Sequence, residues 1–413
     1  MDQYSRSLFR NASLLDAERG ELFADCSVLV EGERIVEVGG SDVQAGSARV
    51  FDLHGRTLMP GLIDAHVHVT AVTADLVALT EWSAAYVTAR AARVLIGMLE
   101  RGFTTVRDVG GAECGLAMAV EEGYLQGPRI VFGGKALSQT GGHADMRSRG
   151  RNTLDSCPCC PGLGTVCDGV DELRRAAREQ IRGGAHHLKL MLSGGVASPA
   201  DRVDSTQFSL EEIRAAVEEA QAANLYVAGH AYTSRAINRG LEAGVRSIEH
   251  GNLMDESSIP LFQQTGAFYV PTLVTYSSLA AHGREFGLPE SSYRKVFDVL
   301  DAGLRALELA QRSGIPIVYG TDLLGDMHED QLTEFTLRRE VQSPVEIIRS
   351  ATLVAARLLR LEGQVGMIRP GAFADLLVLD GNPLEDISVL TQPEQRLRLI
   401  MSRGRVMRHR LDA

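Results

Sequence analysis

The chain has 413 residues, 45% hydrophobic and 23% charged, ordinary globular proportions with room for a large barrel and additions. A formal net charge of −11 argues against nucleic-acid partners and against an anionic membrane surface. No run of about 18 apolar residues occurs, so no transmembrane helix is expected. The first residues lack a charged stretch followed by an apolar core, which predicts a cytoplasmic protein without a secretory signal.

Residues 1–59 read as short alternating segments: Ser7-Leu8-Phe9, 26–30, 34–38 and 56–59. Turn pairs Glu31-Gly32 and Gly39-Gly40 separate them, the pattern of antiparallel hairpins. At the other end, 374–380, 397–401 and 404–407 read the same way. Neither end is long enough for its own core, so 1–59 and 365–413 are expected to build one β domain together. Between them, over 60–364, strands alternate with helices. Strands are expected at 62–69, 104–109, 129–133, 187–192, 225–230, 246–250, 267–273 and 315–321, with helices such as 173–182 and 210–223 between them. Repeated βα units over roughly 300 residues predict a TIM barrel. A doubly wound open sheet is the alternative, but no GxGxxG follows the first strand.

Barrel chemistry sits at the C-terminal ends of the strands. In the first, LIDAHVHV, alternation puts His66 and His68 on one face, and neutral imidazoles side by side are half of a metal site. An isolated HxH is as readily a structural pair, so the other strand ends decide. Lys189 lies in HLKLMLSGG, His230 ends YVAGH, His250 ends SIEH and Asp322 ends YGTD. That set favours the metal site. Lysine has donors only and cannot ligate as an ammonium, but a buried neutral amine can take up carbon dioxide as an anionic carbamate. The alternative is an amine paired to a carboxylate inside the barrel.

Six cysteines are present, with Cys157, Cys159, Cys160 and Cys167 clustered. No second CxxC-type pair completes a zinc ribbon, so the cluster reads as reduced thiols or a local disulfide, with an accessory metal site as the alternative. Cys26 and Cys114 read as small core residues. The stretch 145–170 reads as a lid or an oligomer contact.

The set HxH, Lys, His, His, Asp, with VEGERIVEVG and GLIDAHVHV before it and GMIRPGAFADLLVLDGNPLEDI after it, resembles the amidohydrolase superfamily over nearly the whole chain. The resemblance implies an α/β fold, a deformed TIM (β/α)8 barrel with a composite β-sandwich domain formed from both chain ends. It also implies two divalent metal ions, zinc foremost. By position, His66, His68 and Asp322 would hold the inner ion, His230 and His250 the outer one, and N-carboxylated Lys189 would bridge. A metal-bound hydroxide would attack the carbonyl, with Asp322 as proton shuttle to the departing amine. His143, in the glycine-rich loop QTGGHAD, would donate to the carbonyl oxygen, and Tyr232 likewise. A solvent-facing loop histidine and a core tyrosine are the alternatives. Ser193-Gly194-Gly195-Val196 would bring backbone close to a ligand.

SQTGGHAD, KLMLSGGVAS and GHAYT are most similar to metal-dependent dipeptidases and carboxypeptidases, including Xaa-Pro dipeptidases, enzymes releasing C-terminal basic residues, and ochratoxin-type amidohydrolases. That implies a small-molecule substrate, a dipeptide or N-acyl amino acid, and a homo-oligomer up to an octamer. The substrate carboxylate would call for an arginine, with Arg147, Arg149, Arg151 and Arg202 as candidates. Two rivals stand beside this reading. One is a cyclic-amide hydrolase of the imidazolone or hydantoin kind; the other is a non-catalytic structural relative, which the complete ligand set disfavours.

Overall fold

The computed structural model describes residues 6–152 and 161–411. Cys157, Cys159 and Cys160 lie outside the described residues, as does part of the 145–170 stretch. Cys167 is buried and makes no disulfide among the described residues, and burial pushes its thiol up to about 12. Cys26 and Cys114 are only half-buried; Cys26 packs at the margin of a core cluster rather than inside it. Among the described residues, no helix is long and apolar enough to cross a membrane.

The chain divides into two compact units, one from Met1–Asp64, Gly97–Thr105 and Phe335–Ala413, the other from Ala65–Ile96 and Val106–Glu334. The first carries an eight-stranded sheet that draws on both chain ends. Its organising strand is Arg6–Asp16, longer than the sequence suggests because polar residues alternate along it. This strand runs antiparallel to Glu21–Glu31 on one side. On the other it pairs first with Arg49–Asp52 and then with Thr57–Pro60. The change of partner falls at Asn11, whose φ of 54° marks an irregularity in the ladder. Thr57–Pro60 then pairs with Leu376–Leu379, which carries the C-terminal strands. Phe9, Val28, Phe51, Leu58, Leu376, Val378 and Leu399 share one apolar cluster, so the two chain ends complete a core that neither has alone.

The remaining strands form a deformed TIM barrel. One sheet orders Leu62–Val67, Phe103–Asp108 and Arg129–Phe132; the other runs Gly164–Val166, Ala136–Ser138, Leu188–Met191, Val227–Thr233, Ser247–Leu253 and Phe268–Val270. Every assigned ladder of the second sheet is parallel. The short strands Ala136–Ser138 and Gly164–Val166 are additions that the sequence pattern did not suggest.

Helices cover the strands as periodicity requires. Leu210–Ala222 buries Ile213, Ala216, Val217 and Ala220, a three- and four-residue spacing. It opens with a capping box, Ser209 accepting from the Glu212 N–H while Glu212 accepts from the Ser209 N–H.

The expected strand at 315–321 is different. It makes one bridge, Tyr269 to Ile317, and no named strand. Pro316 has no N–H to give, and Asp322 turns the chain with a φ of 55°. The segment still closes the wall by single hydrogen bonds. Val318 N donates to Tyr269 O at 2.8 Å on one side, and on the other Ala65 N donates to Tyr319 O and Asp322 N to His66 O, each at 2.8 Å.

Candidate metal centre and active site

The first barrel strand is buried along its length and points His66 and His68 inward together. Both aim at Asp322: His66 Nε2 lies 3.3 Å and His68 Nε2 3.2 Å from its Oδ1. One ligand atom from each of the three falls within 4.8 Å of the others. Burial would raise the Asp322 carboxyl, but the two imidazoles outweigh it and hold the group well below the usual range.

The other sequence-chosen ligands gather beside this trio without joining its close spacing. The His250 ring lies 4.8 Å from that of His66 and 4.5 Å from that of His230. Its Nδ1 is 3.8 Å from Asp322 Oδ2. Lys189 stands on the neighbouring strand, opposite Ala228, with Met191 opposite His230. Its side chain is 2% exposed and Nζ has no hydrogen-bond partner among the described residues. Burial lowers this amine to about 8. Burial also holds His230 and His250 well below the usual imidazole range, as neutral rings.

Behind the ligands lies a polar shell that the sequence reading missed. Glu249 is fully buried, and its Oε2 accepts from His66 Nδ1 at 2.8 Å, which turns Nε2 toward Asp322. Arg107, also fully buried, donates Nη2 to both Glu249 oxygens at 2.8 Å and Nη1 to Ser247 Oγ at 3.1 Å. Burial would raise Glu249, but the Arg107 charge and the His66 hydrogen bond hold it well below the ordinary carboxylate range. His68 Nδ1 donates to Gly110 O at 2.7 Å, and His250 Nδ1 pairs with Thr272 Oγ1 at 2.8 Å. The buried Asp108 accepts from the backbone N–H groups of Val69, Gly110 and Ala112, fixing the loop beside His68. The available signal was charge inside a buried barrel strand, Arg107 and Asp108 in FTTVRD and Glu249 in SIEHGNL.

His143 and Tyr232 both reach this place. His143 stacks on His230 at 4.2 Å between centroids, and Tyr232 packs edge-on to His230 at 4.9 Å. Tyr276, not singled out in the sequence, donates its hydroxyl to Tyr232 Oη at 3.0 Å. Both line a cavity with His68 and Asp322, whose remaining walls include Leu76, Met146, Met191, Val196, Leu279 and Leu324. No arginine lines it among the described residues. Arg147 is tied to Asp145 by two bonds of 2.7 and 2.5 Å, and Arg202 is exposed and paired with Asp204. Arg149 is exposed, and Arg151 lies 3.7 Å from Glu81.

The residues fit a metal centre. Two imidazole nitrogens converge on one carboxylate oxygen, and the interior amine lacks the acceptor that an ammonium there would demand.

Comparison with known proteins agrees. The family described as amidohydrolase matches residues 57–407. Ochratoxinase from Aspergillus niger is 33% identical over 399 residues, 93% of this chain and 83% of its own. The crystal structure of a prolidase complexed with N-methylphosphonate-L-proline has a TM-score of 0.96 at 49% identity, covering 98% of this chain and 100% of that one. A Xaa-Pro dipeptidase with methionine in its active site has a TM-score of 0.88 at 30% identity, covering 98% and 100%. With a family match over most of its length and an ochratoxinase this similar, the chain belongs to the amidohydrolase family and is a hydrolytic enzyme acting on amide bonds.

Proposed function

We propose that this enzyme cleaves the amide bond to a C-terminal amino acid, in Xaa-Pro dipeptides or in N-aroyl amino acids of the ochratoxin type. The observation that carries the reading is a small cavity with His68 and Asp322 at one end and mainly apolar walls. The likeness to a prolidase and to an ochratoxinase supports it. Such walls suit proline or phenylalanine and, among the described residues, offer a basic side chain no carboxylate other than Asp322.

His66, His68 and Asp322 would hold one divalent ion and His230 and His250 a second, zinc foremost, with N-carboxylated Lys189 as a further ligand. In forming the carbamate, the neutral amine's lone pair makes an N–C bond to carbon dioxide, one C=O π pair moves onto oxygen, and one N–H proton passes to water. When bound, the ions supply Lewis acidity that polarises the carbonyl and makes water a nucleophile at neutral pH. Asp322 takes the proton of the attacking water and delivers it to the amide nitrogen, which departs as a neutral amine. Tyr232, already receiving the Tyr276 hydroxyl, turns its own hydrogen to the substrate carbonyl oxygen.

A second reading, hydrolysis of cyclic amides, is favoured by the lack of an arginine among the described cavity residues. Amine release by metal-reconstituted enzyme over Xaa-Pro, N-aroyl-Phe, C-terminal Arg or Lys, and cyclic amides separates the two. Linear substrates with apolar C-terminal residues should lead, with basic ones about tenfold or more behind. Turnover of cyclic amides alone would overturn the C-terminal reading. Lys189→Ala should lose bound metal and activity together, with partial recovery in short carboxylic acids. Unchanged metal content in that variant would sink the carbamate.

A further inference from the structure

The loop after Lys189 carries a hydrogen-bond relay that the reaction as derived does not use. The Asp201 side chain is 3% exposed, and every neighbour bonded to it is a donor. Its Oδ2 accepts from Gly195 N at 3.2 Å and Gln207 Nε2 at 3.0 Å. Its Oδ1 accepts from Lys295 Nζ at 3.3 Å and from the Ser198 hydroxyl. Lys295 also donates to Gly195 O at 2.9 Å and Ser198 O at 2.8 Å, so its three hydrogens meet three acceptors.

Ser198 is fully buried and has one hydroxyl hydrogen. The carboxylate is the stronger acceptor for it, because a charge-assisted bond is roughly twice as strong as a neutral one. The Ser198 lone pair then faces His143 Nδ1 at 2.8 Å and must receive a hydrogen from it. The ring cannot turn away. It lies flat on Gly195, where a Cβ would come within 2.1 Å of it, and against the His230 ring on the cavity wall.

We propose that Asp201, acting through Ser198, holds His143 as its Nδ1–H tautomer, so that Nε2 presents a lone pair to the cavity and accepts from an N–H or O–H group on the acyl side of the substrate. The substrate part of this proposal rests on the C-terminal amide reading; the tautomer does not. It reverses the donor role expected of His143 from the family resemblance and leaves donation to the carbonyl oxygen with Tyr232. Ser198 and Asp201 are positioning residues.

The test is ¹⁵N NMR of imidazole-labelled, zinc-loaded enzyme, with the His143 signals assigned by their loss in His143→Gln. Nδ1 should carry the hydrogen and Nε2 should not. Ser198→Thr should keep that pattern, and Ser198→Ala should shift it toward Nε2–H. A wild-type Nε2–H signal, or a Ser198→Ala spectrum like wild type, overturns the proposal. This arm needs no turnover, so it decides the tautomer even if the C-terminal reading fails. In the kinetic arm, wild type should prefer an Xaa-Pro dipeptide over its deamino analogue, and Ser198→Ala should shrink the kcat/KM ratio about five- to tenfold. An unchanged ratio beside the expected spectrum would overturn the acceptor role and leave only the tautomer.

Discussion

Asp322→Asn should retain its metal and lower kcat by about 10²–10⁴-fold, the range set by removing a general acid–base group. The amide keeps the shape of the carboxylate and still offers an oxygen to an ion shared with the two imidazole nitrogens, which lie 3.3 and 3.2 Å from Oδ1. It cannot take a proton from water or return one to the leaving nitrogen. The backbone should hold, because the residue's own N–H is anchored to His66 O at 2.8 Å whatever the side chain. Metal analysis and thermal unfolding run beside the kinetics separate a lost shuttle from a lost ion. A variant with normal metal content and near-normal turnover would refute the shuttle.

Glu249→Ala should cost about 3–5 kcal/mol of folding stability, measured by denaturant unfolding of the metal-free protein, because it strands a buried guanidinium. Arg107 is 0% exposed and both Glu249 oxygens are bonded to it. The same change removes the acceptor that sets the His66 tautomer, so metal affinity should fall about 10–100-fold even in the folded fraction. Replacing both partners with apolar residues should restore more stability than metal affinity, since only the first penalty comes from the unpaired charge. If Glu249→Ala unfolded at the wild-type denaturant concentration, the pair would have to be weak.

The fold class was legible in the sequence because strand periodicity and apolar helix faces are local properties. LIDAHVHV shows two histidines on one face without any tertiary information. The partners behind them were hidden because Arg107 stands on a strand of one sheet and Ser247 and Glu249 on a strand of the other, and they meet only once the barrel has folded. Glu249 carried a further disguise. Neighbours on a strand face opposite ways, so His250 and Glu249 read as one site residue and one bystander. The positive φ of His250, 72°, breaks that alternation, and both side chains serve the same centre. Tyr276 and Thr272 lie in and just before a helix that no motif marks, and Ser198 and Asp201 of one loop meet Lys295 of the helix Glu290–Val296 only in the folded chain. The last barrel segment was misread because its apolar run is a strand by composition, while Pro316 and the left-handed turn at Asp322 restrict its ladder.

That same segment ties the timing of folding to the chemistry. Within the first barrel strand, Ala65 and His66 bond Tyr319 and Asp322 at the far end of the barrel's sequence. The candidate ligand trio straddles this join, so a nascent chain released before Asp322 already has His66, His68, His230 and His250 but no closed wall and no third member of the trio. Catalytic competence thus arrives with the final stave, and ion capture across the join would rivet the cask shut.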